Sequence, residues 1–293
     1  MGMVRFSDFF AHQGWYPSSK GACLAALGDF EDYYAGMDPP AAPSGGWLGG
    51  VVPHAGWVFS GRLAFRVFQV LAAREGEVGT IVLFGGHLGP HAKGWILTEG
   101  TWQTPLGEIW TNSDLAMALA QHCDSRFFTA IGPGDYEPDN TIELQLPFVR
   151  HFFPGASVVV VTVPATQEAR LIGKLAATLS GSISLDTLFV GSTDLTHYGP
   201  NYGFLDHGLG REAVEWVRKV NDRKALDAMQ ALDADLLLRG ALEHRNACCP
   251  GAASAALTAG RALGAQRGEI LEYATSYDVR PDMSFVGYVA LGF

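Results

Sequence analysis

Four short segments carry the side chains that could perform chemistry. Each follows an apolar run or precedes a helix-like run, and together they present His54, His87, Asp194 with His197, and Cys248. Imidazole, carboxylate and thiolate groups are the usual ligands of a mononuclear metal site. Two imidazoles and one anionic ligand suit Fe(II) and dioxygen chemistry, or Zn(II) with an activated water. On spacing alone the alternative stays open that these groups are packed in the core and point to different places.

The segment Val51–Gly61 shows the pattern most clearly. It begins as an apolar run, meets Pro53, presents His54 and continues with a helix-like pattern. A short apolar run bounded by proline and glycine is typical of a buried strand. Ligands and catalytic groups collect at the carboxyl ends of strands in open α/β sheets. His54 is therefore predicted at a sheet edge, although a hydrogen-bonded turn histidine would have the same pattern.

Buried strands alternate with amphipathic helices along the chain. Apolar runs at Thr80–Phe84, Val158–Val163 and Thr187–Gly191 are separated by segments with helical spacing. This alternation predicts an α/β fold with a central mixed, mainly parallel sheet and helices on both faces. Residues 95–111 predict a β-ribbon, which is expected to add antiparallel edges to the sheet together with two C-terminal strands. Residues 138–153 predict a helix that Pro147 kinks or breaks.

Size and charge restrict the classes of function. The 293 residues, 48% of them hydrophobic, can bury a full core, and without a linker or repeat they predict one domain over residues 1–293. A net charge of −10 without a basic cluster argues against nucleic-acid and membrane partners. The N-terminus lacks a signal-peptide core, and four cysteines do not make a disulfide framework. A cytoplasmic setting is predicted, whereas the oligomeric state is left open.

Several motifs, in the same order along the chain, resemble the Memo family. They are PHAGW-x-FSG (53–61), FGGH (84–87), TPLGE (104–108), ELQLPF (143–148), STDLTHYG (192–199) and NAC (246–248), after an opening GWYP (14–17). The family includes protein B of the so-called AmmeMemoRadiSam system and is related to class III extradiol dioxygenases of the LigB type. The resemblance implies an α/β fold like that of the extradiol dioxygenases, with the metal in a pocket at one sheet edge.

The resemblance also implies roles for individual residues. Carried over position by position, His54, His87 and Cys248 match the family's iron-binding positions. Asp194 and His197 match its acid/base pair, with His197 as general base or hydrogen-bond donor and Asp194 as the residue that orients a histidine. Cysteine stands where the ring-cleaving relatives have a glutamate. Because thiolate is a softer and more electron-donating ligand, ring cleavage does not follow from the fold.

Three positions depart from the family's pattern. Asn140 stands where the family has a histidine, which removes one proton carrier because an amide does not titrate. The segment Phe84–His87 replaces the usual Gly-Pro-Asn-His. Cys249 follows the ligand cysteine, and it is interpreted as a small buried hydrophobe, a substitute ligand or a redox neighbour of Cys248. These changes predict a divergent branch with its own pocket.

Other side chains are expected to surround the pocket. Glu143 lies in the flanking helix and, as a buried carboxylate, needs a partner. His91 is expected only to line the pocket, because Pro90 breaks any helix that would join it to His87. An aromatic substrate wall is predicted near the motif loops, although core packing fits the same positions; its candidates are Trp57, Phe59, Trp102, Tyr136 and Tyr198.

Three functions fit these residues. The first is a mononuclear, non-haem Fe(II)-dependent oxidoreductase that activates dioxygen on a small organic or thiol-containing substrate. The second is a Zn(II) hydrolase at the same two histidines and cysteine, and copper is a further candidate ion. The third is a non-enzymatic scaffold that binds metal or phosphopeptides, which the resemblance implies because animal members are discussed as signalling adaptors and metal handlers.

Overall fold

The computed structural model describes residues 5–6, 9–37, 40–43, 46–74, 76–182 and 186–293. The strands are β1 (Arg5–Phe6), β2 (Gly49–Val52), β3 (Thr80–Gly85), β4 (Gly94–Leu97), β5 (Thr101–Thr104), β6 (Gly107–Trp110), β7 (Phe128–Ile131), β8 (Ser157–Thr162), β9 (Thr187–Ser192), β10 (His197–Tyr198), β11 (Glu269–Thr275) and β12 (Phe285–Gly292).

The helices alternate with these strands over most of the chain. They are α1 (Phe9–His12), α2 (Lys20–Tyr34), α3 (Trp57–Ala72), α4 (Ser113–His122), α5 (Asn140–Glu143), α6 (Leu146–Phe152), α7 (Glu168–Ser182), α8 (Arg211–Trp216), α9 (Asp222–Gln230), α10 (Ala234–His244), α11 (Pro250–Ala262) and α12 (Ser276–Val279). A π-helical segment, Val217–Asn221, joins α8 to α9. Within the described ranges, no helix is both long enough and apolar enough to cross a membrane.

The central sheet contains nine strands of the described chain. Their order is β10-β12-β2-β9-β3-β8-β4-β7, and β11 also pairs with β12. The middle strands β2, β9, β3 and β8 run parallel, whereas β12 is antiparallel to β2 and β4 is antiparallel to β8. This is the mixed, mainly parallel α/β sheet that the sequence predicts.

Helices cover both faces of the sheet because the strand side chains alternate between two apolar cores. In β8, Val158 and Val160 belong to a core that includes α3, whereas Val159 and Val161 belong to a core that includes α7 and α11. Side chains of successive strand residues point to opposite faces, so a continuous run of valines fills both cores. The predicted α/β fold class, which the resemblance to the class III extradiol dioxygenases also implies, is therefore confirmed.

The β-ribbon predicted over residues 95–111 pairs antiparallel as expected, but it lies outside the central sheet. Strands β5 and β6 are antiparallel, and with β1 they form a separate three-stranded sheet, while only β4 and β7 extend the central sheet on that side. The expectation that the ribbon adds an edge to the central sheet is wrong for β5 and β6. The chain reverses after β4 through Gly100, whose φ of 131° is a conformation that favours glycine. The two C-terminal strands do pair antiparallel at the opposite side.

The helix predicted over residues 138–153 is broken, as expected, but before the proline. Asp139 caps α5 by accepting a hydrogen bond from the Thr141 N–H, and α6 begins at Leu146. Pro147 lies in the first turn of α6, where a missing N–H costs no intrahelical hydrogen bond. The break leaves α5 at the edge of the sheet, next to the candidate site.

Strand pairing places three polar loops side by side. Strands β2 and β3 lie on either side of β9 and pair with it in parallel up to their carboxyl ends. His54 follows β2, His87 follows β3, and Asp194 follows β9. The three loops leave the sheet at the same edge because parallel strands end together.

Candidate metal centre

His54 is almost fully enclosed, with 1% of its surface exposed. Its Nδ1 atom hydrogen-bonds Ser192 Oγ at 3.0 Å, so Nε2 faces Cys248 Sγ at 3.3 Å. Its backbone N–H donates to Asp194 Oδ1 at 2.8 Å. Burial lowers the pKa of the imidazole, but the negative charges of Asp194 and Cys248 outweigh burial and raise that pKa to about 9. The surroundings of His54 therefore favour a positive charge at this position.

His87 meets His54 edge to face, with ring centroids 4.9 Å apart. Asn140 orients the His87 ring, because its Nδ2 donates to the His54 carbonyl at 3.2 Å and its Oδ1 then faces His87 Nε2 at 3.0 Å. The proton is consequently held on Nε2, and Nδ1 is directed at Cys249 Sγ, 3.4 Å away. Hydrogen bonding to the Cys248 sulfur raises the pKa of His87 against the effect of burial.

Two consecutive thiols form the other half of the site. The Cys248 N–H donates to the Asp194 carbonyl at 3.1 Å, and the Cys249 N–H donates to Thr193 Oγ1 at 3.0 Å. These bonds fix the start of α11 on the loop after β9. Although burial raises the pKa of Cys248, hydrogen bonding from Cys249 and the positive charge of His54 hold it well below its usual value. Burial and the neighbouring Cys248 raise the pKa of the Cys249 thiol.

The close approach of α11 to the sheet depends on a small residue in β9. A Cβ atom on Gly191 would lie 2.7 Å from the Ala252 carbonyl oxygen and 2.9 Å from Ala253 Cα. Any side chain at this position would push α11 outward, and the two cysteines at its start would move with it. Gly191 therefore sets the distance between the thiols and the histidines.

Four donor atoms converge in this arrangement. One atom each from His54, His87, Cys248 and Cys249 lies within 4.8 Å of all the others. Nitrogen and sulfur donors at this spacing suit a thiophilic transition-metal ion. The three residues predicted as ligands are thus brought together, and a metal ion fits among them.

Asp194 lies beside the donors in the loop after β9, and His197 begins the short strand β10. Asp194 is buried, and its Oδ2 atom lies 3.9 Å from His54 Nε2. His197 Nδ1 hydrogen-bonds the Leu195 carbonyl at 3.2 Å, and its ring packs on Tyr202. In the part of the chain that the structure describes, the Asp194 carboxylate accepts its hydrogen bond from the His54 backbone N–H. The ring of His197 is instead oriented by the Leu195 carbonyl.

The site opens into a cavity of about 680 Å³. His54, His87, Asn140, Asp194 and His197 all line this cavity. Its other walls come from the N-terminal segment Gln13–Trp15, from Asn201 and Tyr202, and from the C-terminal segment 276–288. A cavity of this volume accommodates a small organic molecule.

The predicted aromatic wall is only partly present. Phe59 lines the cavity, but Trp57 is buried, stacks on Phe148 and donates its indole N–H to the Leu144 carbonyl. Tyr198 is fully buried, and its hydroxyl donates to the Gly208 carbonyl. Trp102 and Tyr136 pack against each other, also outside the cavity lining. These aromatic side chains pack in the core because the apolar faces of the elements continue beneath the motif loops.

Most of the aromatic residues that line the cavity were not singled out from the sequence. They are Trp15, Phe59, Tyr202 and Tyr288, of which only Phe59 was a candidate. Trp15 belongs to the GWYP motif, so that motif was a usable signal. Tyr202 and Tyr288 lie in segments without a recognisable motif, and Arg280 and Asp282 enter the lining from the same C-terminal part of the chain.

Glu143 and His91 lie outside the cavity lining. Glu143 is buried, and its Oε1 accepts hydrogen bonds from the N–H groups of Phe10 (2.6 Å) and Ala11 (3.3 Å) and from the Tyr16 hydroxyl (3.1 Å). It therefore holds the N-terminal segment that forms one wall. His91 is exposed in the turn that follows Pro90, which carries the chain away from His87.

A third buried carboxylate, Asp222, holds the loop that leads to His197. Asp222, at the start of α9, accepts hydrogen bonds from the N–H and hydroxyl groups of Thr196 and, at 2.7 Å, from the Tyr273 hydroxyl. Burial raises the pKa of Asp222 to about 6 in spite of these donors. Sequence reasoning missed this residue, because a helix-start aspartate usually faces solvent.

We expect Asp222 to make stability depend on pH. Its pKa is about 3.9 in the unfolded chain and about 6 in the folded chain, so between these values the folded chain binds more protons. Stability contributed by the protonated form is therefore lost as pH rises from 4 to 6, by about 3 kcal/mol. The free energy of unfolding of the native chain and of Asp222→Asn is measured in urea between pH 4 and 6. The difference between the two free energies should change by this amount across that range. The exposed control Asp206→Asn should run parallel to the native chain; a parallel Asp222→Asn curve would contradict the assignment.

Comparisons with known proteins agree with the motifs. A family model described as Memo-like protein matches residues 15–292, a range that includes every residue of the donor cluster. A MEMO1 family protein of Methanopyrus kandleri is 34% identical over 255 residues, covering 84% of this chain and 82% of the relative. Relatives from Thermococcus onnurineus (32% over 255 residues; 83% and 86% covered) and Methanosarcina barkeri (33% over 250 residues; 83% and 85% covered) carry the same family description.

Proposed function

The chain belongs to the Memo family, and from that premise we propose that it is a mononuclear Fe(II)-dependent oxidoreductase. The observation that carries the proposal is the convergence of His54, His87 and Cys248, together with a cavity large enough for a small molecule that both histidines line. Bound Fe(II) would supply electron transfer to dioxygen. The substrates are dioxygen and a small organic or thiol-containing molecule that enters the cavity.

The residues around the donors prepare them for this role. Ser192 holds Nδ1 of His54, and Asn140 holds Nε2 of His87, so that each ring directs its other nitrogen at a sulfur atom. Fixing the tautomer and the ring orientation in this way strengthens an imidazole as a ligand. The buried Asp194 adds a negative charge beside His54, which favours a cation at this position.

His197 is the proposed proton carrier. Its Nδ1–H donates to the Leu195 carbonyl, which leaves Nε2 as the acceptor of the neutral ring. The residue lines the cavity beside the histidine donors, within reach of a bound molecule. An imidazole is suited to accept a proton from an acidic substrate group, such as a thiol or phenol, near neutral pH.

We expect His197→Gln to lower turnover by about 100-fold, because glutamine cannot accept a proton during the reaction. The metal content per chain should stay unchanged, since His197 is outside the donor cluster. Oxygen uptake and elemental analysis on the same sample measure the two effects. His207→Gln is the matched control, because His207 stacks on Trp216 away from the cavity. Loss of metal in His197→Gln, or full turnover, would contradict the assigned role.

The proposal is tested by purifying the chain without oxygen, determining its metal by elemental analysis, and following oxygen uptake with a panel of small thiols and phenols. One iron per chain together with substrate-dependent oxygen uptake would support it. Stoichiometric zinc with hydrolytic turnover would favour the hydrolase instead. A folded chain that binds no metal would contradict both enzyme functions, and the cavity would then be a binding site of the scaffold alternative.

A further inference from the structure

The sulfur of Cys249 belongs to the donor cluster as fully as the three residues already assigned. It is 1% exposed, lies 3.7 Å from Cys248 Sγ and 3.4 Å from His87 Nδ1, and is within 4.8 Å of every other donor. Regular backbone geometry would not bring the sulfur atoms of Cys248 and Cys249 together, because consecutive side chains in a strand point to opposite sides. Cys249 precedes α11 with φ −125° and ψ 59°, and this irregular backbone turns both sulfur atoms toward the histidines.

Three of the six distances between the four donors match the edges of a tetrahedral site. An ion about 2.3 Å from sulfur and about 2.0–2.1 Å from nitrogen holds two sulfur donors about 3.8 Å apart, and a sulfur and a nitrogen about 3.6 Å apart. Here the two sulfur atoms are 3.7 Å apart, and the nitrogen–sulfur distances are 3.3 Å for His54–Cys248 and 3.4 Å for His87–Cys249. All three distances agree with these edges within about 0.3 Å.

We propose that Cys249 is a fourth metal donor, so that the site of this chain is a set of two histidines and two cysteines. The inference rests on the proposed metal centre and adds one ligand to it. Two sulfur and two nitrogen donors in this geometry favour a thiophilic ion, such as Fe(II), Zn(II) or Cu(I), over an ion that prefers oxygen. Four protein donors would close a Zn(II) site, whereas Fe(II) accepts more donors and would keep positions for substrate. The fourth donor therefore argues against the hydrolase alternative.

Two measurements count the sulfur donors. X-ray absorption of the zinc-loaded native chain should show two sulfur atoms at about 2.3 Å from the ion, instead of one. Cobalt titration of the metal-free chain should give thiolate-to-cobalt absorption, and in Cys249→Ala this absorption per bound ion should fall by about half. Zinc affinity, measured by competition with a chelator, should weaken by more than about 100-fold, because losing a donor costs more than losing its hydrogen-bond partner.

Matched variants separate coordination from packing. Cys249→Ser keeps the size of the side chain but removes the sulfur. The cobalt absorption per bound ion should therefore fall by about half, as it does in Cys249→Ala. Cys123→Ser removes a cysteine beside a different cavity and should behave as the native chain. The X-ray measurement uses the native chain and does not depend on whether a variant folds. Fe(II) and Cu(I) are tested in the same competition format, and each should bind more weakly to Cys249→Ala than to the native chain.

The outcomes distinguish this inference from the proposed function. One sulfur at the zinc ion, with native affinity in Cys249→Ala, would overturn the fourth donor and leave the three-donor centre standing. Two sulfur atoms and weakened binding would support the fourth donor whichever reaction the chain performs. A native chain that binds none of zinc, cobalt or cuprous ion would overturn the inference and the proposed metal centre together.

Discussion

His54→Ala should reduce metal binding by more than about 100-fold, so that the variant purifies essentially without metal and without oxygen-dependent turnover. His54 is the most enclosed histidine of the cluster, and its Nε2 lies 3.3 Å from Cys248 Sγ. Removing the ring takes away one donor and leaves the Asp194 carboxylate without its imidazole neighbour. The space created opens to the existing cavity, so water can fill it and the fold should persist.

Metal-dependent stabilisation gives the sharpest readout of this prediction. A ligand at 100 times its Kd stabilises the folded state by about 2.7 kcal/mol. Adding metal to the apo native chain should therefore raise its Tm, whereas the Tm of His54→Ala should not respond at the same concentration. His122→Ala is the matched control, because His122 is exposed on α4. An equal response of native chain and His54→Ala would place the ion elsewhere.

Glu143→Ala should destabilise the chain by about 3 kcal/mol and release the N-terminal wall of the cavity. The carboxylate accepts hydrogen bonds from Phe10, Ala11 and Tyr16, and hydrogen bonds to a charged, buried group are worth about 1.5–3 kcal/mol each. Water can replace some of the lost hydrogen bonds of the N-terminal segment, so the total destabilisation is less than the sum of the three hydrogen-bond energies. The donor cluster lies on other elements, and its metal content should be retained.

Urea unfolding and limited proteolysis check this second prediction. We expect a lower midpoint of unfolding and earlier cleavage near residues 9–16, together with weaker substrate binding. Glu143→Gln keeps an acceptor oxygen without the charge and should show an intermediate loss of stability. Glu137→Ala removes an exposed carboxylate from the same region and should unfold like the native chain. Native stability in Glu143→Ala would mean that the N-terminal segment is held by its apolar contacts alone.

The strands and the sheet edge could be predicted because their signals are local. Apolar runs that end in polar residues identify β2, β3 and β9, and strand ends in α/β folds collect functional groups. The convergence of His54, His87 and Cys248 came from the family resemblance. Spacing along the chain could not establish this convergence, because it does not report the order of the strands in the sheet. In the structure, β9 lies between β2 and β3, although it follows both in the sequence.

The cavity walls and the partner of Glu143 were out of reach of the sequence. Glu143 was expected to need a partner, but that partner is the backbone of α1, 133 residues earlier in the chain. The walls come from segments at both ends of the chain, and no periodicity reports which irregular segments meet. Trp57 was misplaced for a related reason, since it starts α3 and turns toward Phe148 in the core.

The separation of the donors along the chain has a consequence for biosynthesis. His54 and Cys248 are 194 positions apart, and His87 and Cys249 are 162 positions apart. At ribosomal rates, the second interval takes roughly 10–30 s to translate. During this time the histidines are present on the nascent chain without the sulfur atoms that α11 brings. Under the proposed metal centre, the full donor set therefore exists only once Cys249 has been translated, and the supply of metal in the cell acts on chains that have reached this point.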